Sequence, residues 1–447
     1  MKGLLFIIML LGVNLNAQVD MDSTIAAIER RIALPQFSNY RVDVQDYGAK
    51  GNGVADDKKA FDKAMKACKR KGGGTIVVSK GVYVLNGPIH FVSHVNLHLE
   101  EGAFLRFGSN PEDYPLVLTS WEGTMVYNYS PMIYGVGLEN IAITGKGTID
   151  GEGGSAWADW KVKEGEGKQL TRDMNHNKTP VEERVFGDGH FLRPQLIQFV
   201  DSKQILIEDV VIEDTPFWCV HLLKCQNATL RGLRYNSHNK NNDGIDLEYS
   251  QDILIENITF DNGDDNIAIK AGRDHEGRAN SAIPSKNIIV RNCKFKGLHA
   301  VVIGSEMSAG VENVIVYECT AVGYLKRGIY FKTNSDRGGY IRDIYISNLK
   351  FLEVEDCIYM TSNYHGEGEG DFPAKISNVL ISNIGCGSAS NAGIVIEGDP
   401  YKKVENVSLR DISIGYAKNG LTILNAQNSI LENVVIGEQQ GVPSSVK

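Results

Sequence analysis

Acidic, imidazole and amine side chains recur at intervals in the middle of the chain. Asp243 is followed 21 residues later by Asp264 and Asp265, then by His299 and, 33 residues further on, by Lys332. Such a set of carboxyl groups suits inverting hydrolysis of a glycosidic bond, in which one carboxylic acid protonates the leaving oxygen and another carboxylate activates water. The residue types therefore predict acid–base chemistry, provided that the fold brings the five side chains together.

The three acids place demands on the local structure. Crowded carboxyl groups raise one another's pKa, so that one of them keeps a proton near neutral pH. Successive side chains of a regular strand point to opposite faces, so Asp264 and Asp265 cannot both face solvent there. Gly263 precedes them and offers the bend that would turn both toward one side.

Other interpretations of the acids have to be weighed. Asp and Asn cluster in turns, where they cap backbone groups, and we assign Asp246 to that structural role. The run Asp261–Asn266 also has the composition of a calcium loop, but Gly272 stands where an EF-hand supplies its bidentate Glu. The ordered spacing favours a catalytic role without a metal.

A repeated pattern must position these residues. Each unit alternates apolar and variable residues around a central Asn, Asp, Gly or Glu, which predicts two short strands joined by a sharp bend. The units begin 22 to 35 residues apart. They are Ile205–Ile212, Ala228–Tyr235, Ile253–Phe260, Ile288–Phe295, Val314–Ala321, Ile344–Phe351, Val379–Cys386, Val407–Ile414 and Ser429–Ile436.

A repeat of this length indicates a solenoid, in which each unit buries its apolar face on its neighbours. Leucine-rich repeats would need a Leu framework and a helix in each unit, so an all-β parallel β-helix fits better. Val95–Leu99 and Ile141–Gly145 have the character of earlier coils. Adjacent coils stack at roughly 4.8 Å, so Asp243 can lie beside the Asp264 and Asp265 pair.

Two segments depart from the coil pattern. Residues 57–71 have helical apolar spacing and end at a Gly triplet, which predicts a short helix capping the N-terminal end of the coil stack. Residues 151–192 are polar and contain Trp157 and Trp160. We interpret them as a long loop beside a cleft.

Composition sets the broad class. The 447 residues are 42% hydrophobic and 23% charged, which excludes a disordered chain and a membrane-embedded body. With 46 Lys and Arg against 55 Asp and Glu, the net charge of −9 argues against general nucleic-acid binding. The seven cysteines include no C-x-x-C pair, which argues against a zinc site and predicts buried thiols with at most one or two disulfides.

The first residues have the character of an export signal. Lys2 is followed by the apolar run Leu4–Leu11, which is too short to span a bilayer, and by small residues up to Ala17. We expect residues 1–17 to be a signal peptide without a lipid anchor. Residues 18–447 would then form a single β-helix domain, periplasmic or secreted.

The chain resembles the glycoside hydrolases of family 28, the polygalacturonase type, over nearly all of its mature length. Asp46–Gly51 and Gly72–Val78 match the family's usual N-terminal segment, Asn241–Asp243 its Asn-Thr-Asp motif and Asp264-Asp265 its paired aspartates. The resemblance implies a right-handed parallel β-helix that cleaves pectin by inversion. It also implies that Asp264 is the general acid, while Asp243 and Asp265 hold the nucleophilic water.

Two motifs differ from the family pattern. The family's Gly-His-Gly is Gly297-Leu-His299-Ala here, so the His is displaced by one position. The family's Arg-Ile-Lys is Tyr330-Phe-Lys332, so its Arg is absent and Lys332 would bind a uronate carboxylate with less help. The remaining expected substrate-binding residues are Asn241, Arg327, Tyr330 and Tyr364.

The expected protein is therefore a monomeric, cofactor-free hydrolase of α-linked galacturonic acid in pectic polysaccharide or oligogalacturonides. Its long loops favour exo action. Two alternatives stay open: a β-eliminase like the pectate lyases, which usually needs a cation, and a non-catalytic glycan-binding solenoid. In the second alternative, Trp157, Trp160 and Trp218 would be platforms on which sugars stack.

Overall fold

The computed structural model describes residues 21–365 and 370–437. The predicted signal peptide, residues 1–17, lies outside this part of the chain. Among the described residues, no helix has both the length and the apolar character needed to cross a membrane.

Helices are few and lie at the edges of the fold. Residues 21–29 are helical, and three short 3₁₀ turns occupy Val44–Tyr47, Pro111–Asp113 and Val181–Glu183. The α-helices with described bounds are α1 (Lys58–Arg70), α2 (Ala156–Lys163), α3 (Gly165–His176) and α4 (Asp274–Ala279).

Strands make up most of the described chain. In the N-terminal part they are β1 (Arg41–Asp43), β2 (Asn52–Asp56), β3 (Gly74–Val78), β4 (Gly81–Leu85), β5 (Ile89–His90), β6 (Val95–Leu99), β7 (Ala103–Phe107), β8 (Leu116–Trp121), β9 (Thr124–Tyr129), β10 (Ile133–Val136), β11 (Glu139–Gly145) and β12 (Thr148–Asp150). Of these, β8 and β9 form an antiparallel hairpin beside the coils.

The later strands continue the same succession. They are β13 (Ile197–Val200), β14 (Lys203–Glu208), β15 (Val211–Glu213), β16 (Val220–Leu223), β17 (Gln226–Arg231), β18 (Arg234–Asn236), β19 (Ile245–Glu248), β20 (Gln251–Glu256), β21 (Asp265–Lys270), β22 (Ser285–Arg291), β23 (Lys294–Phe295), β24 (His299–Gly304), β25 (Val311–Ala321), β26 (Leu325–Lys332), β27 (Tyr340–Thr361), β28 (Lys375–Glu397), β29 (Val404–Ile414), β30 (Ala417–Leu424), β31 (Ala426–Gln427) and β32 (Ile430–Ile436).

The strands stack as coils with three faces, and the predicted parallel β-helix is confirmed. In the predicted repeat, the first residues of the units from Ile205 to Val407 pair with one another in unbroken parallel register. The earlier coil at Ile141 joins the same register, opposite Ile205. Their inward side chains form one long hydrophobic core.

The central residue of each repeat unit makes the predicted bend. All nine of these residues have a φ between 52° and 67°, the left-handed region that Asn, Asp and Gly tolerate best. They are Asp209, Gly232, Asn257, Asn292, Glu318, Asn348, Asn383, Asp411 and Asn433.

The N-terminal end of the stack is covered as predicted. Helix α1 begins after its N-cap Asp57, and its buried side chains are the six apolar residues that define its spacing in the sequence: Ala60, Phe61, Ala64, Met65, Ala67 and Cys68. All of them except Ala67 belong to the hydrophobic core of the coils. Ile28, from the helical residues 21–29, packs on the outside of the coils against Leu254 and Ile289, a contact that no local pattern predicts.

The segment at 151–192 is an excursion from the coils, but it is not a loop throughout. Helices α2 and α3 lie within it, and buried Trp157 packs against Tyr114. Gly165 and Gly167 in α3 have low helix propensity, which hid this helix in the sequence. All seven cysteines are buried and free, as the sequence indicated. The single-domain organisation of residues 18–447 stays a prediction.

Candidate functional site

One face of the coils carries the predicted catalytic column. Strands β19, β21, β24 and β26 are consecutive neighbours on this face, which we call the site face. Asp265, His299 and Arg327 occupy equivalent register positions on three successive coils. The backbone N–H of Gly244 donates to the carbonyl of Asp265 at 2.8 Å, which joins the turn after Asp243 to the next coil.

Asp265 is held between two cationic or donor groups. Its Oδ1 lies 2.6 Å from Nδ1 of His299, and its Oδ2 accepts a hydrogen bond from Nζ of Lys332 at 2.9 Å. Burial alone would raise the pKa of Asp265, but Lys332 and His299 outweigh burial and hold that pKa below its ordinary value. Asp265 is therefore the ionised member of the pair.

Asp264 has the opposite character. Burial, followed by the neighbouring charge of Asp265, raises the pKa of the Asp264 carboxyl. Both side chains line one cavity, so the chain avoids the regular alternation of a strand at this point. Gly263, just before the pair, lets the backbone pass close to the neighbouring coil, since a Cβ there would lie 2.4 Å from the carbonyl oxygen of Asn239.

Asp243 stands over a buried ion cluster. Nζ of Lys270 lies 3.4 Å from Oδ2 of Asp243, 3.1 Å from Oδ1 of Asp246 and 3.5 Å from Oε2 of Glu306. Burial and the charge of Asp246 raise the pKa of Asp243 well above its ordinary value, although Lys270 opposes them. Burial likewise raises the pKa of Asp246 to about 7. Asp243 and Asp246 therefore hold a proton between them near neutral pH.

The structural role assigned to Asp246 needs correction. It does not cap a turn, because it lies within β19 between the inward-facing Ile245 and Leu247 and is fully buried. Alternation along the strand points its carboxyl outward, beneath the cavity and against Lys270.

The Asn-Asn-Asp turn is fixed from both sides. Buried Asn242 donates to the carbonyls of Thr215 and Phe217, so this amide supports the backbone. Asn241 lines the cavity, and its Oδ1 accepts from Arg193 at 2.9 Å. Arg193 also pairs with Glu164 at 3.1 Å, which ties the excursion to the turn that carries Asp243.

All of the predicted site residues line one cavity of about 710 Å³. Its lining includes seven Lys or Arg side chains and six Asp or Glu side chains. In the whole chain the acids outnumber the bases, 55 to 46. A cavity enriched in cations on an acidic protein favours an anionic ligand.

Four of the predicted substrate-binding residues, Arg327, Tyr330, Lys332 and Tyr364, come from the later coils and lie close together in this cavity. The guanidinium of Arg327 lies over the rings of Tyr330 and Tyr359, at 4.4 and 4.3 Å, and pairs with Asp356 at 3.1 Å. The ammonium of Lys332 lies 5.3 Å from the centroid of the Tyr364 ring. Lys332 is thus primarily the counter-ion of Asp265, and a uronate carboxylate would share it.

The sequence reasoning missed several charged residues that line the cavity. Lys270 could have been recognised, since it is a charge that directly follows the apolar run Ile267–Ile269 in strand β21. Lys168, Arg273 and Glu306 come from distant parts of the chain. Trp218 was considered as a sugar platform, but it is 2% exposed and lies under Nζ of Lys270 at 4.0 Å.

A metal could in principle use the same acids. Asp264, Asp265 and His299 offer three ligand atoms within 4.8 Å of one another. Both oxygens of Asp265, however, already contact His299 and Lys332, and an ammonium beside a carboxylate competes with a metal ion for it. The donor set fits an acid–base pair better than a metal centre.

Comparisons with known proteins place the chain in a family. The model of the family described as glycosyl hydrolases family 28 matches residues 118–432. A second family model, described as rhamnogalacturonase A/epimerase, pectate lyase-like, matches residues 41–98. The second match ends before the first of the residues that line the cavity.

Individual relatives point in the same direction. A probable polygalacturonase of Vitis vinifera is 28% identical over 75% of this chain and 65% of its own length. An exo-poly-alpha-D-galacturonosidase of Dickeya chrysanthemi is 27% identical over 81% of this chain and, again, 65% of its own length. The chain thus spans slightly less than two thirds of these relatives.

Among solved structures, the hyperthermoactive exopolygalacturonase from Thermotoga maritima is similar over most of the molecule. It is 34% identical and superposes with a TM-score of 0.86, covering 92% of this chain and 96% of its own.

Proposed function

Because the chain belongs to glycosyl hydrolases family 28, we propose that it hydrolyses α-galacturonosyl linkages of pectic polysaccharide, from chain ends and with inversion. The observation that carries this proposal is the pair Asp264 and Asp265, whose pKa values are shifted in opposite directions within a cation-rich cavity. Two carboxyl groups with separated pKa values are suited to acid and base roles.

Each acid has a distinct task in the proposed reaction. Asp264 gives its proton to the glycosidic oxygen as the bond from that oxygen to C1 breaks. Water attacks C1 from the opposite face, and ionised Asp265 accepts the proton that the water loses. Asp243 orients the water. His299 fixes Asp265 through Nδ1, while its buried Nε2 has no hydrogen-bond partner among the described residues.

The charges of the cavity support a uronate substrate. A galacturonate unit carries one carboxylate, which a Lys or Arg binds through charge-assisted hydrogen bonds. Arg327, held by Asp356 and two tyrosine rings, is a preorganised donor at one end of the cavity. Tyr330 and Tyr364 can pack against sugar faces there.

Exo action is supported by the wall that the excursion builds. Helix α3 and the β8–β9 hairpin contribute Lys168 and Glu122 to the cavity lining at the side of the earlier coils. A groove closed at one side admits only the end of a polymer. Two of the similar proteins are also described by names that include exo activity.

Purified protein incubated with homogalacturonan, rhamnogalacturonan and defined oligogalacturonides tests the proposal. We expect reducing ends to appear, with monomer or dimer as the first product and NMR showing β-configured sugar at first release. An early ladder of mixed oligomers would contradict exo action, and initial α-configured sugar would contradict inversion. No release from any uronate-containing glycan would overturn the proposed function.

The same incubation separates the alternatives. A β-eliminase would produce an ultraviolet-absorbing unsaturated end, abolished by a chelator. A non-catalytic binding module would retain the glycan without cleaving it, but buried Trp157 and Trp218 are poorly placed as sugar platforms. Export to the periplasm or medium and a monomeric state are part of the proposal, and fractionation and sedimentation test them.

A further inference from the structure

The walled side of the cavity contains a second group of charged side chains, separate from the column of acids. Three cations line it: Lys168 and Arg172 from helix α3, and Arg273 from the segment after β21. Glu122 and Glu306 are the two carboxylates that line it with them. We call these five residues the wall cluster.

The wall cluster is held in place by close ion pairs. Nζ of Lys168 lies 3.2 Å from Oε1 of Glu122, and Nη2 of Arg172 lies 3.6 Å from Oε2 of the same residue. Nη1 of Arg273 lies 3.6 Å from Oε1 of Glu306. The side chains of Lys168 and Arg172 keep 27% and 24% of their surface exposed, and both line the cavity.

The wall itself is rigidly attached to the coils. Asn175, fully buried on α3, donates to Oγ1 of Thr124 at 2.9 Å and to the carbonyl of Arg273 at 3.0 Å. Its Oδ1 accepts from the backbone of Glu276 at 3.1 Å. One amide thus joins α3, the hairpin and α4. The wall cluster is therefore a built part of the cavity and not a set of surface side chains.

The charges of the wall cluster are unequal. Three cations face two carboxylates, and one of these, Glu306, is shared with Lys270 at 3.5 Å. Asp274 approaches Arg273 at 3.9 Å but is not part of the lining. Within it, Lys168 and Arg172 both contact the one carboxylate of Glu122, so two cations of this wall meet at a single acceptor. The column of acids lines the same cavity. An oligosaccharide whose end is bound at the wall would therefore extend toward Asp264.

We propose that the wall cluster is a subsite for the carboxylate of the terminal uronate, with Lys168 and Arg172 as its ligands. The inference rests on the proposed function, because it names the group by which a chain end is recognised. Helix α3 would then have two effects: it ends the groove, and it selects a charged sugar as the last unit.

Single variants Lys168→Gln and Arg172→Gln test this inference with a matched pair of oligomers. The two oligomers differ at one chain end, where one carries galacturonate and the other carries galactose. We expect each variant to lose roughly ten-fold or more in kcat/KM on the uronate-ended oligomer, as a lost charge-assisted hydrogen bond would produce, and less than about two-fold on the galactose-ended one. Lys178→Gln, which removes an exposed cation just after α3 and outside the cavity, should change neither.

Equal losses on both oligomers, or no loss in either variant, would overturn the subsite. Equilibrium binding of the same pair, measured by calorimetry, gives the same contrast without turnover, so the subsite is tested even if the wild type cleaves neither. Absence of cleavage by the wild type with selective binding intact would refute the proposed hydrolase and leave the subsite standing.

Discussion

The nine bends of the repeat units and the turns that carry the acids belong to the same coils but follow different rules. The nine bends repeat one backbone conformation, mostly with Asn or Asp, and differ little from coil to coil. On the site face, by contrast, each turn is individual: Asn242 supports one, Gly263 opens the next, and His299 begins the strand of a third. Repetition stabilises the scaffold, and departures from it build the site.

The largest expected effect sharpens this comparison by placing the same chemical change in both regions. Asp264→Asn removes the proposed general acid and should lower kcat by roughly 10²-fold or more, while binding of oligogalacturonide persists. Asp411→Asn makes the same substitution at a bend, where five of the nine units already carry Asn, and should leave kcat unchanged. Equal turnover by the two variants would remove Asp264 from the mechanism.

Removing Lys332 should move the pH profile. Lys332 lowers the pKa of both Asp265 and Asp264, so in Lys332→Ala both pKa values rise. Asp265 then loses its base form at higher pH, and Asp264 keeps its proton to higher pH, so the whole profile shifts toward alkaline values. At the wild-type optimum we expect a loss of roughly 10- to 100-fold in kcat/KM, since one charge-assisted hydrogen bond contributes ~1.5–3 kcal/mol.

The substrate dependence of that variant separates two roles. A lysine that only served uronate binding would spare neutral or esterified substrates, as the sequence alone led us to expect. Because Lys332 contacts Asp265, we now expect losses on both kinds of substrate, larger on uronates. Lys296→Ala, which removes a half-exposed lysine paired with Asp261, is the control. A profile that does not move would contradict the coupling between Lys332 and the acids.

Lys270→Met tests the ion cluster beneath Asp243. Lys270 lowers the pKa of Asp243 and Asp246. Without it, the pKa values of both carboxyl groups rise further in the folded state. Keeping them ionised at higher pH then costs more folding free energy. The variant should therefore unfold at lower denaturant concentration, losing about 3 kcal/mol above pH 7, where ionised carboxylates would be buried without their cation. The loss should be smaller near pH 4, where Asp243 and Asp246 are protonated and only Glu306, whose pKa lies well below its ordinary value, still lacks Lys270. A loss independent of pH would mean that lost packing, not lost charge, explains the effect.

The smallest effect belongs to the regular region. Asn348→Ala removes the short polar side chain that lets Asn adopt the left-handed region at φ 57°, which costs roughly 1 kcal/mol of folding free energy, while kcat should not change. Asn348→Gly should recover the stability, as Gly232 occupies the equivalent bend. Denaturant unfolding and steady-state kinetics measured on both variants check this prediction.

The same contrast explains what could be predicted from the sequence. The repeat units, their bends and helix α1 follow from local patterns, because each coil repeats the same short strands. The column of acids could be predicted too, because a spacing of one coil places Asp265 next to His299. His299 lies opposite Asp265 in this register, although it is displaced by one position in the sequence motif.

The rest depends on contacts between distant segments. Glu122, Lys168 and Arg273 meet only when the hairpin, α3 and the coils have packed, and no local pattern encodes that meeting. The excursion looked like a loop because glycines weaken the helical signal of α3. The outward direction of the Asp246 side chain would have followed from strand alternation if its place inside β19 had been recognised.

The central claim is that Asp264 protonates the leaving oxygen, and its most direct test varies the leaving group. An aryl galacturonide with an acidic phenol needs little protonation, whereas a digalacturonide needs a full proton transfer. Comparing kcat/KM of the wild type and Asp264→Asn on both substrates, we predict a loss of roughly 10²-fold or more on the digalacturonide and a clearly smaller loss on the aryl substrate. The same loss on both substrates would contradict the assignment of Asp264 as the general acid.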